Sequence, residues 1–273
     1  MNKIKETAVT ALRAAICGGA AIMEVYNNPE TDWEVERKAD NSPLTLADRK
    51  AHAAICQLLN ETPYPILSEE GCHADYAERK NWQRLWIVDP LDGTKEFLKR
   101  NGEFTVNIAL VENGVPMMGI IYVPVQKKLY YGLIGEGAWL YENIEPTDGE
   151  QFNAEDHTGI SLPCPKEKGE GYVVVASRSH LSAETEAFIE TLRAEHGEIR
   201  LCNAGSSLKI CLVAEGKADI YPRLAPTMEW DTAAGHAIVK ATGGEIYLAG
   251  SEQPLTYNKE NLLNAHFIVR PKS

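Results

Sequence analysis

The chain has 273 residues, 44% of them hydrophobic and 24% charged, which suits a folded globular protein and excludes a disordered or collagen-like one. Its net charge of −12 makes nucleic-acid polymers poor partners. An anionic substrate would need local positive charge, which bound metal ions can supply.

Lys3 and Lys5 precede an alanine-rich run that superficially resembles a secretory leader. Glu6, Arg13 and Glu24 interrupt that run, while Ile4, Ala8, Ala11, Ala15, Gly19 and Ile22 recur at helical spacing. Residues 3–26 therefore read as an amphipathic helix packed on a core, with no apolar run near the ~20 residues that span a bilayer. Asp40-Asn41-Ser42-Pro43 signals a second helix, expected over 43–59. Strands are expected over 66–68, 85–89, 105–112, 115–124 and 128–134. Asn113-Gly114 is a hairpin turn between two of them, and Gly135-Glu136-Gly137, after the last, is a second hairpin turn. The first half thus reads as helices packed on an antiparallel meander.

Residues 143–156 are acidic and polar and read as a connection, which divides the chain into an N-terminal lobe, 1–155, and a C-terminal lobe, 156–273. Beyond it, strands over 172–176, 199–202 and 218–221 alternate with helices over 183–195, 207–214 and 232–241, and Gly243-Gly244 stops the last helix. That alternation suggests a sheet covered by helices. Six cysteines (Cys17, Cys56, Cys72, Cys164, Cys202 and Cys211) form no Cys-x-x-Cys pair, and with no secretory signal read they are expected as reduced thiols in the cytoplasm.

The most informative segment is Trp86-Ile87-Val88-Asp89-Pro90-Leu91-Asp92-Gly93-Thr94-Lys95-Glu96-Phe97. An apolar strand end meets Asp89, and Pro90, which has no N–H, is expected to stop ladder pairing. Asp89 and Asp92 then share a tight turn. Like charges that close repel unless one is protonated or a cation binds between them, and Mg²⁺ is the usual hard cation where phosphate is handled. A bare Asp-x-x-Asp more often reads as the cap of a following helix. Glu69 and Glu70, after Ser68, come near Asp89 if the two strands are neighbours; otherwise they are an acidic loop start. Asp231, in Glu229-Trp230-Asp231, reads as a helix cap or as an additional ligand.

The twelve-residue string resembles the metal-binding signature of the inositol monophosphatase superfamily. Its Asp-Gly-Thr-Lys-Glu-Phe ending looks like the bacterial 3′(2′),5′-bisphosphate nucleotidase branch. Trp230-Asp231-Thr232-Ala233-Ala234-Gly235 is similar to the superfamily's second signature. The resemblance implies a layered αβαβα sandwich, of mixed α+β and α/β character, with the site between the lobes. It implies Mg²⁺ as cofactor: Asp89 bridges two ions, Glu69 and the Leu91 carbonyl complete one site, and Asp92 and Asp231 complete the other. Some members hold a third ion near Glu69. Asp48, in a stretch similar to the family's early motif, pairs with Thr94 as a catalytic dyad acting on a water. Lithium sensitivity is implied as well.

The implied substrate is 3′-phosphoadenosine 5′-phosphate, giving AMP and phosphate, with its sulfated relative as a second substrate; inositol monophosphate and sugar bisphosphates are the alternatives within the superfamily. Besides Glu69, Leu91, Asp92, Gly93, Thr94 and Asp231, the expected substrate contacts are Ser177, His180, Ser206, Lys209 and Arg223. Ser177-Arg178-Ser179-His180 follows a strand, Gly205-Ser206-Ser207-Leu208-Lys209 opens a helix, and Tyr221-Pro222-Arg223 offers a ring and a guanidinium. Bacterial relatives are described as associated with the cytoplasmic face of the inner membrane, yet nothing in the sequence anchors this chain.

Overall fold

Strands rich in Val, Ile and Leu with no polar face must be covered on both sides. That condition organises the computed structural model, which describes residues 2–28, 36–37, 43–71, 73–165, 171–176 and 182–272. In chain order the elements are α1 (Asn2–Asn27), β1 (Glu36–Arg37), β2 (Pro43–Leu44), α2 (Leu46–Leu59), β3 (Ile66–Ser68), α3 (Tyr76–Arg79), β4 (Arg84–Asp92), α4 (Thr94–Leu98), β5 (Thr105–Glu112), β6 (Val115–Val123), β7 (Lys128–Leu133), β8 (Gly137–Tyr141) and β9 (Ile160–Leu162). There follow β10 (Tyr172–Val175), α5 (Ala183–His196), β11 (Ile199–Cys202), α6 (Leu208–Ala214), β12 (Tyr221–Arg223), α7 (Glu229–Ala241), β13 (Glu245–Leu248) and β14 (Phe267–Arg270).

Strands β3 to β9 form one seven-stranded sheet in sequence order, antiparallel throughout except for the β3–β4 pair. One face of it, with Trp86, Val88, Ile108 and Tyr122, packs on α1 and α2. The other face, with Ile87, Ala109 and Ile121, packs on α6 and α7. A second layer of strands follows: β10 pairs with β11, β14 lies between β12 and β13, and a bridge from Val174 to Ile220 links the two groups. Helix α5 covers this layer through Ile189 and Leu192. The order helix, sheet, helix, sheet, helix is the αβαβα sandwich.

Helix α7 lies very close to the large sheet. A Cβ at Gly119 would stand 2.1 Å from the Ala234 carbonyl oxygen, and one at the adjacent Gly132 would stand 2.7 Å from the Ile238 Cα. Only glycine permits that approach, which seats the helix carrying Asp231 directly over the strands carrying the other acidic residues.

Several local expectations are corrected. Helix α2 starts at Leu46, not Pro43, because Thr45 caps it and exchanges hydrogen bonds with Asp48, while Pro43 lies in the short β2. Pairing continues past Pro90: β4 runs to Asp92, and the missing N–H falls in an irregular stretch between Asp89 and Asp92. Helix α7 begins at Glu229, so Asp231 stands in its first turn, and its carboxylate accepts the Met228 N–H at 2.8 Å. The strand expected over 218–221 is centred later, as β12. By length and composition, α1 could cross a membrane despite its interrupting charges, but more than half of it is buried in the fold. Lys38, Asp40–Ser42, Cys72 and Ser177 to His180 lie outside the described residues.

Candidate active site

In a regular strand, residues three apart point to opposite faces. Asp89 pairs with Asn107 and Asp92 with Thr105, so three steps on β4 match two on β5. This bulge turns both carboxylates to the same face, the one that α6 and α7 cover. Glu69 follows β3 directly; its N–H donates to the Val88 carbonyl at 3.1 Å, which sets it beside Asp89. Asp231 arrives from α7. One oxygen each from Asp89, Asp92 and Asp231 lies within 4.8 Å of the others.

These groups are held by specific partners. Asp89 is fully buried and accepts the Leu91 N–H at 3.1 Å. Asp92 accepts the Ser207 hydroxyl at 2.5 Å and the Asn107 amide at 3.3 Å. Burial, then the charges of Glu69, Asp92 and Asp231, push the Asp89 carboxyl well above the usual carboxylate range. Burial and Asp92 push Asp231 up to about 8, although the Met228 N–H favours its charged form. Among the described residues, no lysine or arginine forms an ion pair with Asp89, Asp92 or Asp231.

On the other side of Asp92, Asp48 is buried on α2. Its Oδ2 accepts the Thr45 N–H at 2.7 Å and the Thr45 hydroxyl at 2.5 Å. That leaves Oδ1 facing the Thr94 hydroxyl, which lies 3.4 Å from it and 3.5 Å from the Leu91 carbonyl. Gly93 takes a positive φ of 93° at the turn between Asp92 and α4.

A cavity of about 400 Å³ opens beside Asp92 and Asp231. Ser206, Lys209, Tyr221 and Arg223 line one part of it, and Lys95 of α4 with Lys99 just after that helix another. Two buried polar atoms there have no partner: the Ser206 hydroxyl and the Arg223 Nε. Lys209 is held by burial below its usual pKa, with Asp92 acting in the opposite direction, and its ammonium donates to the Ala204 carbonyl at 3.2 Å.

The sequence profile of the inositol monophosphatase family matches residues 3–272. The chain belongs to this family. It is 44% identical over 254 residues to the Escherichia coli K12 3′(2′),5′-bisphosphate nucleotidase CysQ, covering 92% of this chain and 94% of that one. The crystal structure of CysQ from Bacteroides thetaiotaomicron superposes with a TM-score of 0.87 at 54% identity, covering 98% of both chains. The suppressor protein SuhB of Bartonella henselae, at 24% identity and a TM-score of 0.72, shares the fold. Members of the inositol monophosphatase family are generally Mg²⁺-dependent, and the donors present here suit that ion. They are oxygen atoms only, three carboxylates converge, and one of them is buried with no compensating cation among the described residues. Glu69, Asp89, Asp92, Asp231 and the Leu91 carbonyl are the groups that would hold it.

The structure thus brings together Asp89, Asp92 and Asp231, sets Glu69 beside Asp89 and Asp48 against Thr94, leaves the Leu91 carbonyl 3.5 Å from the Thr94 hydroxyl, and places Gly93, Ser206, Lys209 and Arg223 around the adjoining cavity. Sequence reasoning missed Thr45, Asn107 and Ser207. Thr45 was legible, since Thr-x-x-Asp is a capping-box pattern. Asn107 carried a weaker signal, as an amide within an otherwise apolar strand.

Proposed function

We propose that this chain is a Mg²⁺-dependent phosphomonoesterase that removes the 3′-phosphate of adenosine 3′,5′-bisphosphate, giving AMP and phosphate. We take 3′-phosphoadenosine 5′-phosphosulfate as a second substrate. The observation that carries this reading is an acidic cluster adjoining a cavity whose lining holds unpartnered hydrogen-bond groups and cations. A monophosphate ester of a neutral polyol would engage the cluster but leave Ser206 and Arg223 unsatisfied. A nucleotide with a second phosphate engages both.

Bound to Glu69, Asp89, Leu91, Asp92 and Asp231, two Mg²⁺ ions, with a third near Glu69 at high concentration, would offset the phosphate's charge and acidify a water. The Thr94 hydroxyl accepts a proton from the attacking water and passes its own to Asp48 Oδ1. Thr45 holds the other Asp48 oxygen, so the accepting one faces Thr94. The water oxygen bonds to phosphorus in line as the bond to the 3′-oxygen breaks, and that oxygen takes a proton from solvent. Arg223, Lys209 and Ser206 hold the 5′-phosphate. In this reading residues 1–155 supply the cluster's strand residues and the dyad, and residues 156–273 supply Asp231 and the anion contacts.

The test is phosphate release from adenosine 3′,5′-bisphosphate, inositol 1-phosphate and fructose 1,6-bisphosphate, each with Mg²⁺ and with EDTA. Fastest turnover of the nucleotide, abolished by EDTA, is expected. A preference for inositol 1-phosphate would overturn the substrate assignment, and turnover unaffected by EDTA would overturn the metal.

A further inference from the structure

A hydrogen-bonded chain behind Asp92 joins three segments that are distant in sequence. The Thr105 hydroxyl donates to the Asn107 carbonyl oxygen at 3.0 Å, the Asn107 amide to the Ser207 hydroxyl at 2.8 Å, and Ser207 to Asp92 Oδ2 at 2.5 Å. The Ser207 oxygen also lies 3.0 Å from the main-chain carbonyl of Asp231. Thr105, Asn107 and Ser207 are all buried.

The chemistry of these groups fixes the direction of the chain. The Asn107 amide nitrogen also lies 3.3 Å from Asp92 Oδ2, a carboxylate oxygen that accepts, so the side-chain oxygen accepts from Thr105 and the N–H end faces Ser207 and Asp92. The Ser207 oxygen accepts that N–H, which commits its single proton outward. Its two acceptors are the Asp92 carboxylate and the Asp231 carbonyl, and the shorter bond goes to the charged one. Asp92 Oδ2 is thereby occupied, and Oδ1 remains for the cluster.

Ser207 has a second attachment. Its neighbours Ser206 and Lys209 line the cavity, and Ser206, at a positive φ of 44°, holds the unpartnered hydroxyl there. One hydroxyl therefore touches a carboxylate from β4 and the backbone of α7, and is joined covalently to the anion contacts before α6.

We infer that Ser207, fixed by Asn107, is a positioning residue that orients Asp92 for the metal and couples metal binding to occupancy of the anion cradle. This rests on the metal and nucleotide reading above. Hydrogen-bond partners of metal-binding side chains typically matter by 10–100-fold in metal affinity or activity. Coupling between two sites is reciprocal, so a ligand in the cradle must tighten metal binding by the factor by which metal tightens the ligand.

Mg²⁺ binding measured by calorimetry, with and without AMP, tests this in the wild type, Ser207→Ala, Ser207→Thr and Asn107→Ala. Ser207→Ala is expected to weaken Mg²⁺ binding about 10-fold or more. The Thr variant, which keeps the hydroxyl, is expected to recover most of that, and Asn107→Ala to lose less than Ser207→Ala. AMP is expected to tighten Mg²⁺ in the wild type and not in Ser207→Ala. In turnover, the Ala variant should need more Mg²⁺ yet approach the wild-type kcat once saturated. Wild-type Mg²⁺ binding matched by Ser207→Ala, with the same response to AMP, would overturn this inference alone. Absence of Mg²⁺ binding in the wild type would instead overturn the metal reading. Should the Ala variant fail to fold, Asn107→Ala with unchanged Mg²⁺ affinity refutes the proposal.

Discussion

Replacing Asp89 with asparagine should make the metal-free protein more stable while destroying its catalysis. The amide keeps an oxygen to accept the Leu91 N–H, so the bulge has no reason to rearrange. What it removes is a negative charge within 4.8 Å of Asp92 and Asp231. At that separation and an effective dielectric constant of about 20, each like-charge pair costs about 3 kcal/mol. The wild type limits that cost by retaining a proton, which is why burial and the neighbouring carboxylates raise its carboxyl. A carboxyl bound more tightly to its proton when folded makes stability fall as pH rises from the unfolded pKa near 4. In EDTA at pH 8 the variant should therefore gain about 3 kcal/mol, or about 6 °C in melting temperature. Toward pH 5 the raised Asp89 carboxyl holds its proton more fully and comes to resemble the neutral amide, so the gain should shrink. Saturating Mg²⁺ should reverse the order, stabilising the wild type more than the variant, and kcat should fall about a thousandfold, equivalent to ~4 kcal/mol. Thermal melts at the two pH values, with EDTA and with Mg²⁺, provide the measurement. A variant less stable than wild type in EDTA at pH 8, or an equal response of both to Mg²⁺, would refute the electrostatic account.

The remaining predictions concern pH, the dyad and the cradle. With Asp231 raised to about 8 and Asp89 raised as well, Mg²⁺ must displace protons at pH 7, so its apparent affinity should rise toward pH 8 and level off above; calorimetry in buffers of different ionisation enthalpy counts the protons. Thr94→Ala should lower kcat by about 10²–10⁴ with Mg²⁺ affinity unchanged, and undiminished turnover would remove Thr94 from the mechanism. Arg223→Met should raise KM for adenosine 3′,5′-bisphosphate about tenfold while leaving 3′-AMP, which lacks the second phosphate, nearly unaffected; equal losses on both would place Arg223 elsewhere than at the 5′-phosphate.

Much of the architecture was legible because its signals are local. The strands over 66–68 and 105–112 match β3 and β5 residue for residue, since apolar runs bounded by turn residues fix their ends. Asn113 and Gly114, at φ values of 50° and 79°, form the expected hairpin. Boundaries failed where side chains reach back to the backbone. Thr45 and Asp48 delay α2, and α7 begins ahead of Asp231 because that carboxylate satisfies the Met228 N–H. Strands β1, β2, β8, β9, β13 and β14 were not anticipated: β8 simply continues the hairpin at 135–137, while β14 is defined by pairing with β12 and β13 more than by its composition.

Residue type and spacing by themselves supplied the candidate metal ligands, because hard-cation binding demands oxygen donors and Asp89-x-x-Asp92 with Asp231 and Glu69 is a supply of them in a recognisable setting. Tertiary structure alone decided that they converge. A one-residue bulge turns Asp89 and Asp92 to the same face, two glycines let α7 press Asp231 onto them, and Ser207 arrives through the approach of α6 to β5. The bulge depends on the register between β4 and β5, and the other two outcomes on close packing between segments a hundred or more residues apart, which no local preference along the chain encodes.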